Sequence, residues 1–180
     1  MTSNLDAIDR KIIALLQRDA RMTNAALAAE VGLTAPSVFE RVRKLEQRGV
    51  IQGYTVQVDA AALDKTLTAF IRITLAYDER QEAGLRALRD DPDILECYSV
   101  AGEDCLIIKT RVEDTAALEG VIKRVRGHVT VLRSVTMIAL SAIKEGGALD
   151  VGLPTPEAAA PVPAPANGNG SGRAGRGARK

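Results

Sequence analysis

The spacing of the apolar residues changes between about residues 50 and 60, and that change restricts the chain more than any other feature. Before it, apolar side chains recur three and four apart; beyond it they come in short runs separated by turn residues. The first pattern buries one stripe of a helix, and the second builds strands. A chain of 180 residues carrying both, in that order, reads as a small helical domain followed by a small domain of mixed helix and strand.

The helical part resolves into three helices. Leu5, Ile8, Ile12, Leu15 and Leu16 share one face, with Asp6 as N-cap and Asp9 in the first turn, where negative charge is favoured. Asp19 to Met22 break the pattern. Thr23 caps a short second helix carrying Ala26, Leu27 and Glu30, and Val31-Gly32-Leu33 makes a tight turn in which Gly32 can take positive φ. Thr34 caps a third helix that tolerates Pro36 in its first turn, because that position has no intrahelical hydrogen bond to lose. Val38, Val42 and Leu45 form its inward face, Gly49 ends it, and residues 50–56 read as a short strand or wing.

From about residue 67 the order is strand, helix, strand, strand, helix, strand. Ala69–Leu75 is the first strand, 79–89 a helix, and Ile94–Val100 with Cys105–Val112 a pair of strands around a hairpin-sized gap. Thr115–Val125 is the second helix, ended by Gly127, and Val129–Ile143 a final strand region. This βαββαβ order is the ferredoxin-like arrangement: one antiparallel sheet with two helices on one face. Apolar residues occupy both parities of the last strand region, so the second face is expected to be covered by another subunit.

The remainder, 146–180, holds five of the seven prolines and eight of the fifteen glycines. It buries too little to offset its ordering entropy and is expected to be a disordered tail. The fold class is therefore α+β: a winged helix-turn-helix over 1–58, a linker at 59–66, a ferredoxin-like domain over 67–145, and the tail.

A net charge of +1 hides an uneven distribution. Residues 1–53 carry eight basic and six acidic side chains, 54–145 twelve and fifteen, and 146–180 four and two. Basic charge thus gathers at the two ends, and the footprint matters more than the total for binding phosphates. The four tail cations fall within Arg173–Lys180, which suits either a solubilising extension or contact with DNA.

Helix, short turn, helix is the geometry that presents a second helix to the major groove of duplex DNA. The candidate DNA-binding residues are Thr23 and Asn24 at the start of the second helix, and Thr34, Ser37, Phe39, Glu40, Arg41, Arg43 and Lys44 along the third. Ser37, Phe39 and Glu40 lie near the N-terminal end that reaches base edges. Arg41, Arg43 and Lys44 are read as outward cations suited to phosphate or to guanine. Phe39 fits either that outward role or packing against the wing.

The runs Leu5-Asp6-x-x-Asp9-x-Lys11-Ile12 and Gly32-Leu33-Thr34-x-x-Ser37-Val38-x-x-Arg41-Val42-x-x-Leu45-Glu46-x-x-Gly49-Val50-Ile51-x-Gly53-Tyr54 resemble the leucine-responsive/asparagine regulator (Lrp/AsnC, feast/famine) family. The βαββαβ segment resembles that family's ligand-binding and assembly domain, so the likeness covers about residues 4 to 145. It implies a DNA-binding transcriptional regulator, cytoplasmic and nucleoid-associated. It also implies homodimers that assemble into tetramers or octamers, with an amino acid or related metabolite bound between subunits. The corresponding effector site falls on Tyr98, Ala101, Gly102, Glu103, Asp104 and Cys105, with Ser134 and Thr136 as hydroxyl donors. A glycine there lets backbone N–H groups approach a carboxylate, and acidic residues can pair an ammonium. The sequence departs from the family at this hairpin: Cys105 stands where an aspartate is common, and Asp104 where an aromatic often sits.

Other readings find little support. His128 is the only histidine, read as a loop residue, and has no acid or second histidine at metal-ligand spacing. No phosphate loop, nucleophile elbow or zinc-protease motif occurs, so no catalytic residue, metal or cofactor is expected. Cys97 and Cys105 are expected to be free thiols. No apolar run approaches the length of a membrane span, and the N-terminus lacks the pattern of a secretion signal. An effector-independent, DNA-organising protein is the alternative; it predicts assembly and DNA affinity that ignore amino acids.

Overall fold

A computed structural model describes residues 5–153. The chain falls into two compact units, one running to Ile51 and resuming at Leu149, the other Gln52–Ala148.

The first unit contains α1 (Ala7–Arg18), α2 (Asn24–Val31) and α3 (Ala35–Gln47). Each helix starts where the sequence supplies a cap. The Asp6 carboxylate accepts from the Asp9 N–H at 2.7 Å, the Thr23 hydroxyl from that of Ala26 at 3.2 Å, and the Thr34 hydroxyl from that of Ser37 at 3.4 Å. Gly32 turns the chain between α2 and α3 at φ +70°. The three helices close over Ile12, Leu27, Ala28, Val38 and Leu45.

The wing does not form. After Gly49, at φ +68°, Val50 and Ile51 fold back so that both N–H groups reach the Leu45 carbonyl and both side chains pack on the helical core. The apolar pair that reads as a strand start is thus taken by the helical core. Residues 52–59 run on without strand structure, having no ladder partner among the described residues.

The second unit opens with a single 3-10 turn, Ala61–Leu63, and continues as β1 (Leu67–Leu75), α4 (Gln81–Asp90), β2 (Ile94–Ser99), β3 (Leu106–Val112), α5 (Thr115–His128) and β4 (Val131–Ile138). The strands form one antiparallel sheet in the order β2-β3-β1-β4, the expected ferredoxin-like topology. Alternation along β1 and β3 sends Ala69, Ile71, Ile73, Leu75, Leu106, Ile108 and Val112 toward α4 and α5, where they pack on Leu88, Leu118, Val121 and Val125. His128 is the last residue of α5 rather than a loop residue, and β4 is shorter than the Val129–Ile143 run.

Two features fasten the helices. A Cβ on Gly84 would lie 2.3 Å from the His128 carbonyl oxygen, so only glycine allows α4 to approach the end of α5 this closely. The Asp91 carboxylate, almost fully buried, takes two bonds from the Arg124 guanidinium, at 2.8 and 3.1 Å. That pairing holds the Asp91 carboxyl below its ordinary range.

Part of the expected tail is ordered. Residues 149–153 return to the helical unit and lie on α1. The rest of the tail, including Arg173–Lys180, lies outside the described residues.

Candidate functional site

The length of α3 carries the first candidate surface. Ser37, Phe39, Glu40, Arg43 and Lys44 are all exposed, and Phe39 retains 52% of its surface although it is aromatic. With no wing beside it, Phe39 points outward, one of its two expected placements. The Thr34 and Ser37 hydroxyls lie 2.9 Å apart at the helix start, next to backbone N–H groups that lack intrahelical acceptors. Glu40 and Arg43 pair at 3.0 Å in the open, a contact that solvent weakens and that a ligand can rearrange. Ser37, Glu40, Lys44 and Arg48 line a cleft of about 440 Å³ along the helix. Thr23 is exposed and its hydroxyl caps α2, while Asn24 is half-buried as the first residue of that helix.

Arg41 departs from the expected outward placement. Its guanidinium turns onto α1 and contacts the carboxylates of Asp6 and Asp9, each at 2.7 Å. The reason is periodic: positions 38, 41, 42 and 45 form one helical stripe, so residue 41 belongs to the inward edge. Asp6 is held below the usual carboxylate range, first by the capping Asp9 N–H and then by Arg41, while Arg41 is raised by both carboxylates. A guanidinium satisfied twice within the fold is a brace between helices.

The hairpin joining β2 and β3 carries the second candidate surface. Its tip folds back over β1: the Cys105 N–H donates to the Ile73 carbonyl at 2.8 Å, and the Thr74 hydroxyl to the Glu103 carbonyl at 3.3 Å. Asp104 is only 8% exposed, and its carboxylate accepts from Arg72 Nε at 2.6 Å. No sequence motif singles out Arg72, although strand alternation beside Ile71 and Ile73 puts it on the face away from the helices. Asp104 is therefore already neutralised, whereas Ala101, Gly102 and Glu103 remain exposed, with Gly102 at φ +142°. Cys105 is half-buried and Cys97 exposed; both thiols are free.

Within one chain the expected effector residues do not converge. Tyr98 sits on edge strand β2, in register with Ile107, and its hydroxyl donates to Glu96 at 2.8 Å. Ser134 and Thr136 sit on the opposite edge strand β4, in register with the buried Ile73 and Ile71, and so belong to the helix side. Ser134 accepts from Arg126 on α5 at 3.1 Å.

The sheet face away from the helices holds a chain of polar contacts. Lys109 reaches Glu96 at 3.3 Å and Glu145 at 3.4 Å, and Arg111 reaches Glu145 at 2.8 Å and the Thr68 hydroxyl at 2.8 Å. Glu96 and Glu145 are both lowered, by Tyr98 with Lys109 and by Arg111 respectively, and Tyr98 is raised by Glu96. Residues 139–145 cross this face and leave a cleft of about 500 Å³ floored by Phe70, Lys109 and Arg111. Met137 stays 44% exposed and Tyr98 56%. Among the described residues no helix is long and apolar enough to cross a membrane, and no cluster of metal-ligating side chains occurs.

Residues 5–46 match the AsnC-type helix-turn-helix domain, and residues 68–149 the Lrp/AsnC ligand binding domain. Over 138 residues the chain is 36% identical to the HTH-type transcriptional regulator LrpA of Mycobacterium tuberculosis, spanning 77% of this chain and 92% of that protein. A feast or famine regulatory protein of M. tuberculosis solved in complex with L-methionine superposes with a TM-score of 0.71 at 35% identity, over 78% of this chain and 95% of that one. A transcriptional regulator of Neisseria meningitidis, also in complex with L-methionine, gives 0.74 at 26% identity, over 79% and 94%. With both domains matched in chain order and a regulator matched over most of its length, the chain belongs to the Lrp/AsnC family of transcriptional regulators.

Proposed function

We propose that this regulator reads duplex DNA in a sequence-specific manner with α3. Thr34, Ser37, Phe39, Glu40, Arg43 and Lys44 meet the groove, and Thr23 and Asn24 at the start of α2 meet the backbone. The observation that carries this reading is the contrast within α3: Arg41 is consumed by Asp6 and Asp9, while Arg43, on the opposite side, and Lys44, beside Arg41 along the cleft, stand exposed. Selection from a random duplex library tests it. The full-length protein enriches one motif, and Arg43→Ala with Lys44→Ala binds that motif at least roughly 30-fold more weakly, at about 1–3 kcal/mol for each good base contact. A library that returns no motif, or a double variant that binds as well as the parent, overturns it.

The α/β unit binds an amino acid at a boundary between subunits and passes that signal to assembly and DNA affinity. The placement of Tyr98 on one edge strand and Ser134 with Thr136 on the other supports a site completed by a second copy. Because Asp104 is paired with Arg72, ammonium recognition falls to Glu103 and the hairpin carbonyls. Two relatives bind L-methionine, so methionine is the first candidate. The protein acts as a regulator in the cytoplasm, associated with the nucleoid, with no catalytic step of its own. A thermal-shift screen of the twenty amino acids, repeated by size-exclusion chromatography, tests the effector. If no amino acid changes either readout, the effector-independent, DNA-organising reading replaces it.

A further inference from the structure

Strand alternation and register fix which side chains rise from the sheet face away from the helices. Four of those on the strands are basic: Arg72 on β1, Lys109 and Arg111 on β3, and Arg133 on β4. Three are engaged. Arg72 is held by Asp104, Lys109 by Glu96 and Glu145, and Arg111 by Glu145 and the Thr68 hydroxyl. Arg133 is exposed, and its guanidinium makes no ion pair or hydrogen bond among the described residues. The acids that touch this face divide in the same way. Glu96, Asp104 and Glu145 are paired, whereas the exposed carboxylate of Glu103 has no partner among the described residues.

The one cation and the one anion left over flank a single residue, Thr74. It faces the same side as Arg72 and is in register with Arg133, so the two Cβ atoms lie about 5 Å apart. The register slips by one residue at Leu132, directly before Arg133, and slips of this kind re-aim side chains beside binding sites. On its other side the Thr74 hydroxyl donates to the Glu103 carbonyl at 3.3 Å. The Arg133 Cβ and the Glu103 carbonyl are therefore within about 10 Å of each other, and their two long side chains leave room for a small molecule between them. A guanidinium takes a carboxylate through two parallel N–H bonds, and a carboxylate takes an ammonium. An α-amino acid carries both complementary groups on one carbon. We infer that Arg133 binds the carboxylate of the effector and Glu103 its ammonium, so that one chain supplies both charged contacts. This rests on the α/β unit being an amino-acid receptor, and it adds to that reading the residue that selects for a free carboxylate. A second copy then has the effector's side chain left to enclose.

Thermal-shift titration of the full chain with each of the twenty amino acids, L-methionine first, gives half-saturating concentrations for parent and variants. Arg133→Gln and Glu103→Gln are each expected to raise that concentration roughly ten-fold or more, the scale of one charge-assisted hydrogen bond. Arg89→Gln removes the same charge from an exposed position on α4 and leaves it unchanged. L-methioninamide keeps the ammonium but has no carboxylate charge. The parent is expected to bind it roughly ten-fold or more weakly than L-methionine, and Arg133→Gln to lose that preference. Light scattering on ligand-free protein is expected to give the same oligomeric size throughout. A parent indifferent to all twenty amino acids overturns the effector reading, and this inference with it. A responsive parent whose Arg133→Gln variant responds at the same concentration, or still prefers the free acid to the amide, overturns the role of Arg133 and leaves the effector reading standing. An unchanged Glu103→Gln titration overturns the ammonium contact. A ligand-free Arg133→Gln protein of altered size makes Arg133 an assembly contact and overturns its role here.

Discussion

The two units bury their cores on different scales. The sheet unit closes over twelve buried apolar residues, from β1, β3, α4, α5 and the Val129 that follows α5, whereas the helical unit has five. The smaller core is supplemented by polar braces: Arg41 between α1 and α3, and Gln17 and Arg10 on the returning chain. A small domain buries too little surface to be secure on hydrophobic burial alone, so each such contact carries a larger share of its stability. The same contrast appears in the acid–base pairs. In the helical unit the inward arginine is consumed, whereas Arg43 and Lys44 stay exposed on α3, Arg43 in one open pair with Glu40. In the sheet unit the hairpin aspartate is consumed, which removes a charge that an ammonium could have used.

Truncating a core residue breaks this comparison most severely. Leu45→Ala is expected to cost about 2–5 kcal/mol, and the helical unit should melt while the sheet unit persists. Unit-specific hydrogen exchange reads the difference; uniform loss of protection in both units would show that they do not melt separately. Gly84→Ala forces a methyl group onto the His128 carbonyl and is expected to cost about 1–3 kcal/mol, read as a lower melting temperature of the sheet unit alone.

Asp91→Asn weakens the Arg124 pairing and is expected to cost about 1–3 kcal/mol. Its pH dependence has a definite sign. A carboxyl lowered in the folded state contributes stability above its ordinary value of 3.8, and that contribution is lost as pH falls through the lowered value. Parent and Asp91→Asn stabilities should therefore converge in acid and separate toward neutrality. Arg41→Ala sharpens the contrast within α3. It should lower helical-unit stability by about 1 kcal/mol, because its partners are only partly buried, and leave motif preference intact in protein that remains folded. Loss of motif preference in a folded Arg41→Ala protein would return Arg41 to the DNA surface. Glu40→Gln, at an exposed pair, should change stability by no more than about 0.5 kcal/mol in chemical denaturation.

The legible parts of the fold are those fixed by local chemistry. Asp6, Thr23 and Thr34 begin helices because each offers an oxygen to an N–H three residues on, and Gly32 turns because it lacks a Cβ. The βαββαβ order comes from period and turn residues. The direction of Arg41 is also present in the 38-41-42-45 stripe, but the charge of the side chain argues for solvent until Asp6 and Asp9 come within reach. Arg72 and Asp104 lie thirty-two positions apart, and nothing local announces their pairing. Val50 and Ile51 have the composition of a strand and are instead claimed by the nearer helical core. At the hairpin, the family resemblance gathers residues that one chain places on opposite edges of its sheet, since a single sequence carries no signature of which strands become edges. Leu149–Leu153 carries a disordered composition, and its order comes from two side chains more than 130 positions away.

That return has a topological consequence. The chain leaves the helical unit after Ile51 and re-enters it at Leu149, so the α/β unit is an insertion within a discontinuous domain. A single proteolytic nick in residues 52–66 leaves the two fragments associated through the docked strap, residues 149–153, and one in residues 139–148 leaves the two units covalently joined through 52–66. Only cleavage at both connections frees the α/β unit while α1 keeps its strap. Excising the helical unit as an N-terminal fragment alone discards one of its own pieces.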